Sequence, residues 1–391
     1  MIEDRFVDES LLSRIKSWRN YFAAKVGFRN HWYVACFSRE IAEGATLARK
    51  ILGEDILFRR IRGKVYAITD RCIHRGVRFS EKVECHTEGT ISCWYHGFTF
   101  RWVDGVVCNI IAAPNSALIG RKRVKIYPVE ESLGLVFVFV GDADFVTPPL
   151  RSDVPPTFHD EGRVLEGDSR VVEANWRTGP EGGIDEIHRY LHRDSTLLLN
   201  TKATMPLGHT GVKGHCEVVE EENGAKGIVD HFNPSAMYFE ADIEGAKGAV
   251  TGIRFPVDPD APKVKRAVSA SIWMPSVLRV LGFPDQGLTF FEFYTPINET
   301  QHRCFLTFTR VCSNDDERWQ FQSDYNTRWK RYAVDNFLSQ DIAARESTQH
   351  FYRHDRAWLE EVLVEEDFML MEWRKLASKH ARGVQKPSNM D

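Results

Sequence analysis

Two short segments of this chain each place a cysteine close to a histidine, and this arrangement restricts the possible folds more than any other feature. Cys72 and His74 lie in the first segment, and Cys93 and His96 lie in the second. Each segment offers one sulfur and one nitrogen. A fold that brings the two segments face to face gathers two thiolates and two imidazoles at one point.

The order of these residues separates two kinds of metal site. In a Rieske [2Fe–2S] centre two cysteines bind one iron and two histidines bind the other, which raises the reduction potential. A zinc site usually draws its two cysteines from one loop and its two histidines from another, so the alternating order favours the cluster over the zinc alternative. Cys85 and His86 are neighbours, which on a strand point to opposite faces. The other cysteines read as small buried hydrophobes: Cys36, Cys108, Cys216, Cys304 and Cys312.

Length and composition set the general class of protein. The chain has 391 residues, 43% of them hydrophobic, which suits two or three domains with a sizeable core. A net charge of −4 gives no reason to expect nucleic acid as a partner. The N-terminus is charged, and the longest apolar run, at 133–141, is far shorter than the ~20 residues of a membrane span. We therefore expect a cytoplasmic protein with reduced cysteines and no membrane partner.

The pattern along the chain predicts an α+β organisation with four parts. Residues 1–27 have apolar side chains at helical spacing and predict a leading helix that packs on the C-terminal domain. Residues 28–146 read as an all-β domain of short strands, and the proline-rich segment 147–160 reads as a linker. Residues 161–391 combine an antiparallel sheet with helices. The predicted strands lie at 64–70, 90–102, 134–141, 267–275 and 288–297, and Asn314 with Glu317 forms a candidate capping box.

A second group of candidate metal ligands lies in residues 182–195. His188 and His192 are four residues apart, so a helix places them on one face. Two such histidines and one carboxylate form the facial triad of non-haem iron(II), which leaves positions open for O₂ and substrate. The carboxylate has to come from another element, and Asp341 is the candidate. A chance histidine pair and an N-cap role for Asp185 are the competing interpretations.

Together these motifs resemble the catalytic α-subunit of the Rieske non-haem iron aromatic-ring-hydroxylating oxygenases, over nearly the whole length. Within the family, several segments are similar to members that act on carbazole: GFRNHWY, CIHRGV, CWYHGFTFRW, IGRKRVKIYPV and DIAARE. Gly182 and Phe290 depart from the pattern, since an asparagine and a polar residue are expected there. The resemblance implies a Rieske domain followed by a helix-grip catalytic domain.

The resemblance also implies cofactors, partners and an activity. The expected cofactors are the [2Fe–2S] cluster and a mononuclear Fe(II), with O₂ as co-substrate and electrons from an NADH-dependent reductase through a ferredoxin. The expected assembly is a homotrimer in which Asp185 bridges a cluster histidine, with His96 the candidate, and an iron-ligand histidine of different subunits. The expected reaction is angular dioxygenation of carbazole-like aromatics, which converts carbazole to 2′-aminobiphenyl-2,3-diol.

Two further sets of candidate residues are a substrate pocket, implied by the resemblance, and a docking surface, suggested by positive charge. The implied substrate pocket suits a flat, apolar, multi-ring ligand, although ordinary core packing is the competing interpretation for each aromatic residue. It comprises Gly183, Ile187, Ala270, Leu278, Phe283, Phe290, Glu292 and Phe337. Arg75 beside the first ligand loop and Arg121 after the second are candidates for docking an acidic ferredoxin, and a solvated basic surface is the alternative. Four alternative functions remain: a Rieske cis-dihydroxylating oxygenase on another aromatic, a Rieske mono-oxygenase or dealkylase, a non-catalytic Rieske electron carrier and a zinc-stabilised binding module.

Overall fold

A computed structural model describes residues 13–185, 187–192, 195–197, 216–230, 269–285 and 287–387. The N-terminal half is built from ten short strands, which pair antiparallel within three sheets ordered β1-β10-β9, β2-β3-β4-β8 and β5-β6-β7. Their bounds are β1 His31–Phe37, β2 Thr46–Ile51, β3 Glu54–Ile61, β4 Lys64–Thr69, β5 Thr90–Ser92, β6 Phe98–Arg101, β7 Val107–Ile110, β8 Ile126–Tyr127, β9 Val129–Ser132 and β10 Leu135–Val140.

The small sheet β5-β6-β7 differs from the sequence prediction at the second cysteine–histidine segment. The predicted strand at 90–102 is two strands, since β5 ends at Ser92 and β6 begins at Phe98. The residues between them form a tight loop that contains Cys93 and His96. Because neighbouring ladder residues alternate between sheet faces, a continuous strand could not direct both ligands to one point. The predicted strands at 64–70 and 134–141 are confirmed as β4 and β10.

The C-terminal half is dominated by a seven-stranded antiparallel sheet ordered β11-β17-β16-β15-β14-β13-β12. Its alternating residues face two cores. Leu278, Phe290 and Leu306 lie in the core shared with the helices, whereas Phe291, Phe293 and Phe305 pack against β1 and β10 of the N-terminal half. The strands are β11 Arg163–Val172, β12 Cys216–Glu220, β13 Lys226–Asp230, β14 Ser269–Trp273, β15 Val277–Leu281, β16 Thr289–Pro296 and β17 His302–Val311.

The described α-helices pack on one face of this sheet. The α-helices are α1 Arg19–Ala23, α2 Thr178–Ile184, α3 Asp315–Asp324, α4 Leu338–Thr348, α5 Ala357–Glu360 and α6 Phe368–His380. A π-helical segment, Tyr325–Phe337, joins α3 to α4, and at its end the Leu338 N–H bonds the Ala333 carbonyl five residues back. Short 3₁₀ helices occupy Lys16–Trp18, Ser38–Glu40, Leu150–Ser152, Pro156–His159, Ile187–His192, Phe351–Arg353 and Glu365–Asp367. The predicted α+β class with an all-β first domain is confirmed.

Three local predictions have mixed outcomes. Asn314 caps α3 by accepting the Glu317 N–H at 2.9 Å, but the Glu317 carboxylate accepts from Ser313 N rather than from the cap residue. The leading helix is short, and Leu11 and Leu12 lie outside the described residues. The segment 147–160 is folded onto the second core, which buries its Leu150, Val154 and Phe158. The four domain boundaries stay predictions. Within the described part of the chain, every helix is too short or too polar to cross a bilayer.

Candidate functional site

The two cysteine–histidine loops have the same backbone hydrogen bonding. In the first loop, Cys72 N–H donates to the Val77 carbonyl over 2.9 Å, and Gly76 N–H donates back to the Cys72 carbonyl over 2.9 Å. In the second, Cys93 N–H bonds Phe98 O at 2.7 Å and Gly97 N–H bonds Cys93 O at 2.9 Å. Each loop therefore closes one turn at a glycine four residues after its cysteine. Both glycines have positive φ, 73° and 69°, a conformation that favours glycine at these positions.

The four predicted cluster ligands converge. Cys72 and Cys93 are each 2% exposed, whereas the two histidines lie at the surface with their Nδ1 atoms 3.1 Å apart. The His74 ring stacks on Phe98 with 4.8 Å between the centroids. Buried sulfurs on one side and paired ring nitrogens on the other match the asymmetric ligand set of a Rieske cluster.

Backbone groups also prepare the sulfur side of this site. The N–H groups of His74 and Arg75 point at the Cys72 sulfur and stabilise a thiolate there. Burial, together with the neighbouring Cys93 thiol, nevertheless raises the pKa of Cys72 to about 12. The free thiol therefore holds its proton at neutral pH, and iron binding has to displace it. The residues fit a [2Fe–2S] cluster.

Contacts behind the loops were not apparent from the motif. The Trp94 indole N–H donates to the Arg78 carbonyl over 2.9 Å and so ties the second loop to the first. Asp70, which is 2% exposed and directly precedes the first loop, accepts the Ser80 N–H at 2.9 Å. An acidic residue at the junction of a strand and a ligand loop is the only signal that the sequence offers for this contact. Cys85 bonds Arg59 Nη1 and Cys108 bonds the Thr99 carbonyl, so each has its own partner.

The second predicted site forms where α2 ends. Residues Ile187–His192 are a 3₁₀ helix rather than an α-helix. The Asp185 carboxylate accepts the backbone N–H groups of Ile187 at 2.9 Å and His188 at 3.1 Å, so the N-cap interpretation of Asp185 holds. His188 Nδ1 lies against the Asp185 carbonyl oxygen. The cap thus sets both the start of the 3₁₀ helix and the orientation of the first histidine.

His188, His192 and Asp341 come together as the facial-triad prediction requires, with one ligand atom from each within 4.8 Å of the others. Asp341 Oδ1 lies 3.2 Å from His192 Nε2 and 3.8 Å from His188 Nε2. Asp341 is on α4 and the histidines follow α2, so only the tertiary fold joins them. Burial acts to raise the pKa of Asp341, but the adjacent His192 ring, together with His188 and Arg345, holds this pKa below its usual value.

Two observations show that this triad suits a metal ion. His192 Nδ1 is 2.9 Å from Gln340 Oε1, which fixes the tautomer in which Nε2 carries the free lone pair. That Nε2 is buried and, among the described residues, has no hydrogen bond of good geometry. A buried polar atom without such a partner is costly, and iron between the three ligands would satisfy it. Gln340 was missed by the sequence reasoning, although its position next to Asp341 was the available signal.

Three of the predicted pocket residues are aromatic rings that form a row starting at His192. The Phe337 ring stacks on His192 at 3.6 Å, Phe283 follows at 5.1 Å from Phe337, and Phe290 at 5.8 Å from Phe283. We call these three rings the aromatic wall. A Cβ on Gly183 would lie 2.7 Å from Leu278 Cδ2, so the glycine permits close contact there.

Three other predicted pocket residues have distinct environments. Ala270 is partly buried on β14 opposite Val280, and Ile187 is 41% exposed. The Glu292 carboxylate is buried and pairs with Arg345 at 2.6 Å. These contacts leave the pocket assignment a prediction.

The basic residues near the cluster fall into two groups. Arg71 and Arg78 share one partner, Asp55, at 2.8 Å and 3.1 Å. Arg75 and Arg121 are exposed on the surface of the N-terminal half. The two predicted docking residues are therefore accessible to a partner protein, and their role stays a prediction.

Comparison with known families identifies both halves of the chain. Residues 31–128 match the Rieske [2Fe–2S] domain, and residues 139–385 match the family described as homotrimeric ring hydroxylase. The second match covers more than half of the chain. The protein therefore belongs to the Rieske-type ring-hydroxylating oxygenases, which are oxidoreductases whose cofactors are a [2Fe–2S] cluster and a non-haem iron, with O₂ as co-substrate.

The similarity to individual proteins is more specific. The chain is 42% identical to the terminal oxygenase component of carbazole 1,9a-dioxygenase from Metapseudomonas resinovorans, over 97% of each chain. It is 45% identical to the corresponding Sphingomonas sp. component, over 95% of this chain and 97% of that one. The solved terminal oxygenase of carbazole 1,9a-dioxygenase from Novosphingobium sp. KA1 superposes with a TM-score of 0.89 at 42% identity, covering 97% of this chain and all of the other.

Proposed function

We propose that this protein is the terminal oxygenase component of a multicomponent dioxygenase that acts angularly on carbazole-like aromatics. On carbazole, both oxygen atoms add at the ring-fusion carbon beside nitrogen and at its neighbour, and the product opens to 2′-aminobiphenyl-2,3-diol. The observation that carries this proposal is the aromatic wall, which begins in contact with His192 and continues through Phe283 to Phe290. A flat polycyclic ligand is well matched to such a surface.

Each group of residues then has one task. Cys72, Cys93, His74 and His96 hold the cluster, and His188, His192 and Asp341 hold the iron. When bound, the cluster supplies single electrons and the iron supplies O₂ activation. Gln340 holds the His192 ring in the tautomer that presents Nε2 to the metal. The buried Phe290 and Phe337 rings shield the substrate's side of the triad from water.

The partners follow from the family and from the relatives. We infer a homotrimer in the cytoplasm that receives electrons from a ferredoxin and its NADH-dependent reductase. Solved relatives include a reduced complex between the oxygenase and ferredoxin of carbazole 1,9a-dioxygenase, with a TM-score of 0.88 to this chain. None of the eight cysteines, all of which lie in the described part of the chain, forms a disulfide, as expected in a reducing compartment. Asp185 is proposed to bridge the cluster of one subunit and the iron of another.

A single-turnover assay tests the proposed reaction without partner proteins. The protein, loaded with iron and chemically reduced, is mixed with carbazole and O₂, and the products are identified by mass spectrometry. We expect 2′-aminobiphenyl-2,3-diol, with no product from the protein reduced in the absence of O₂. If a protein with a reducible cluster and a filled iron site yields no product, carbazole is not its substrate.

The second candidate function is mono-oxygenation or dealkylation of another aromatic. The oxygenase subunit of vanillate O-demethylase from a Pseudomonas strain is 37% identical, but over only 31% of this chain. That limited match supports the shared cluster chemistry rather than a shared substrate. Products that gain one oxygen atom, or lose a methyl group, in the same assay would favour this alternative.

The docking prediction concerns Arg121, an exposed residue of the N-terminal half. Charge reversal by Arg121→Glu should slow ferredoxin-driven turnover several-fold at low salt, because complementary charge mainly accelerates encounter. Turnover with a chemical reductant should not change, and the defect should shrink as ionic strength rises. Arg62→Glu is the matched control, since Arg62 is an exposed arginine in the turn between β3 and β4 that pairs with Glu88. Equal losses with both electron sources would contradict docking at Arg121.

A further inference from the structure

A buried ion pair lies one helical turn from Asp341. Arg345 follows Asp341 by four residues on α4, so the two side chains leave the same face of the helix, and both are buried. Arg345 Nη1 donates to Glu292 Oε1 over 2.6 Å. Glu292 is 1% exposed on β16, which has a hydrogen-bonded strand on each side. The pair therefore joins the helix that carries the predicted iron carboxylate to the interior of the sheet.

Further contacts restrict where the Arg345 guanidinium can lie. The Cys304 thiol on β17 donates to the same Glu292 oxygen over 2.8 Å, so this cysteine has a polar role that its sequence context did not suggest. Arg345 Nη2 donates to the Tyr294 hydroxyl over 3.4 Å, and the guanidinium carbon lies 5.2 Å from the Tyr294 ring centroid. The ion pair is thus fixed by hydrogen bonds from two strands.

The same arginine also touches the element that leads to the histidine ligands. A Cβ on Gly182 would lie 3.3 Å from Arg345 Nε, and a Cβ on Gly183 would lie 3.1 Å from the Tyr294 hydroxyl. Both glycines are in α2, which ends at Ile184, and the 3₁₀ helix of His188 and His192 begins at Ile187. Gly182 is one of the two departures from the family pattern, and here it allows α2 to rest directly on Arg345.

Stability alone does not account for this ion pair. Burying two charges costs desolvation energy, and replacing a buried pair by neutral residues of similar volume is often neutral or stabilising. The hydrogen bonds also argue against Glu292 as a residue that binds substrate, because its Oε1 already accepts from both Arg345 and Cys304. What the pair does join is the two pieces of chain that supply the triad.

We propose that Arg345 and Glu292 are positioning residues that hold the Asp341 carboxylate at the place where it can bind iron together with His188 and His192. This inference rests on the proposed assignment of those three residues as iron ligands. A metal site requires its ligands to be held within about 0.5 Å of their working positions. An anchor one turn along α4, in contact with α2, fixes the relative position of the carboxylate and the histidines.

The test measures Fe(II) affinity in full-length protein with its cluster intact, beside thermal unfolding of the iron-free form. Two variants should weaken Fe(II) binding: the single variant Arg345→Met and the double variant Glu292→Gln with Arg345→Met. The expected loss is about 10–100-fold in each, the range for residues that support metal ligands without binding the metal. Because the double variant leaves no unpaired buried charge, it should fold like the wild type. Arg345→Lys keeps the charge and should recover part of the affinity. Nitric oxide bound to Fe(II) should give a broader paramagnetic resonance spectrum in the Met variants.

Two controls separate the possible failures. Phe305→Leu removes packing on the opposite face of the sheet, where Phe305 is fully buried, and should lower the unfolding temperature without changing Fe(II) affinity. Asp341→Ala tests the underlying assignment, since wild-type Fe(II) affinity in that variant would remove the basis of the proposal. If Asp341→Ala loses iron while the double variant binds it as tightly as the wild type, the triad stands and the positioning role is wrong.

Discussion

Asp341→Ala should abolish oxygenation while leaving the [2Fe–2S] cluster intact. Asp341 provides the carboxylate of the triad, and its Oδ1 lies within 4 Å of both histidine Nε2 atoms. Removing it leaves two imidazoles as the remaining ligands. Loss of a residue that only hydrogen-bonds to a metal ligand weakens metal binding by up to about 100-fold. Loss of the ligand itself should therefore lower Fe(II) affinity by more than this. Iron content, the visible absorption of the cluster and product formation in the single-turnover assay measure the three effects separately.

A nearby surface acid serves as the matched control for this prediction. Asp335 lies in the π-helical segment before α4, is half exposed and pairs with Arg170. Asp335→Ala removes a carboxylate from the same stretch of chain and should cost no more than about 1 kcal/mol of stability, as surface ion pairs do. Its iron content and turnover should match those of the wild type. Product formation by an iron-free Asp341→Ala protein would refute the mononuclear site.

Asp185→Asn should slow electron delivery from the cluster to the iron. The expected decrease is about 10–100-fold, the range for residues that hydrogen-bond to metal ligands, if Asp185 bridges a cluster histidine of one subunit and an iron-ligand histidine of another. The asparagine oxygen can still accept the N–H groups of Ile187 and His188, because asparagine and aspartate are equally good N-caps. The 3₁₀ helix and Fe(II) binding should therefore persist. The measurement is the rate of cluster oxidation after O₂ and substrate are added to the reduced trimer.

Asp185→Ala provides the comparison that separates the two roles of this residue. It removes the cap as well as the charge, and losing a cap costs about 1 kcal/mol. Stability and iron binding should fall in this variant but not in Asp185→Asn, whereas electron transfer should be slow in both. A wild-type rate of cluster oxidation in Asp185→Asn would leave Asp185 with a capping role only.

Local rules explain why the cluster loops could be recognised from sequence. The four ligands are specified by residue type and short spacing, and Gly76 and Gly97 each allow the loop to turn with positive φ. The chemistry of two sulfurs and two nitrogens then restricts the metal group that the loops can hold. The exact end of β5 was not apparent, because the apolar residues on both sides continue the pattern of a strand.

Contacts between distant segments account for what the sequence did not reveal. Arg345 and Cys304 read as an ordinary helical and an ordinary strand residue, and Glu292 was predicted only as a pocket residue. The pairing of β16 with β17 and the packing of α4 bring the three together. A buried charge is stable only beside its partner, and a linear pattern does not contain that partner. The same reason applies to Gln340, whose role depends on where His192 lies.

The α+β class and two candidate ligand sets could be predicted from the sequence, because they depend on residue type, spacing and periodicity. The resemblance of its motifs added the family, the cofactors and the expected reaction. The packing of distant elements, in contrast, brings His188 and His192 to Asp341 and places Phe337 on the His192 ring. These arrangements join residues more than a hundred positions apart, and the packing of helices on the seven-stranded sheet sets their distances.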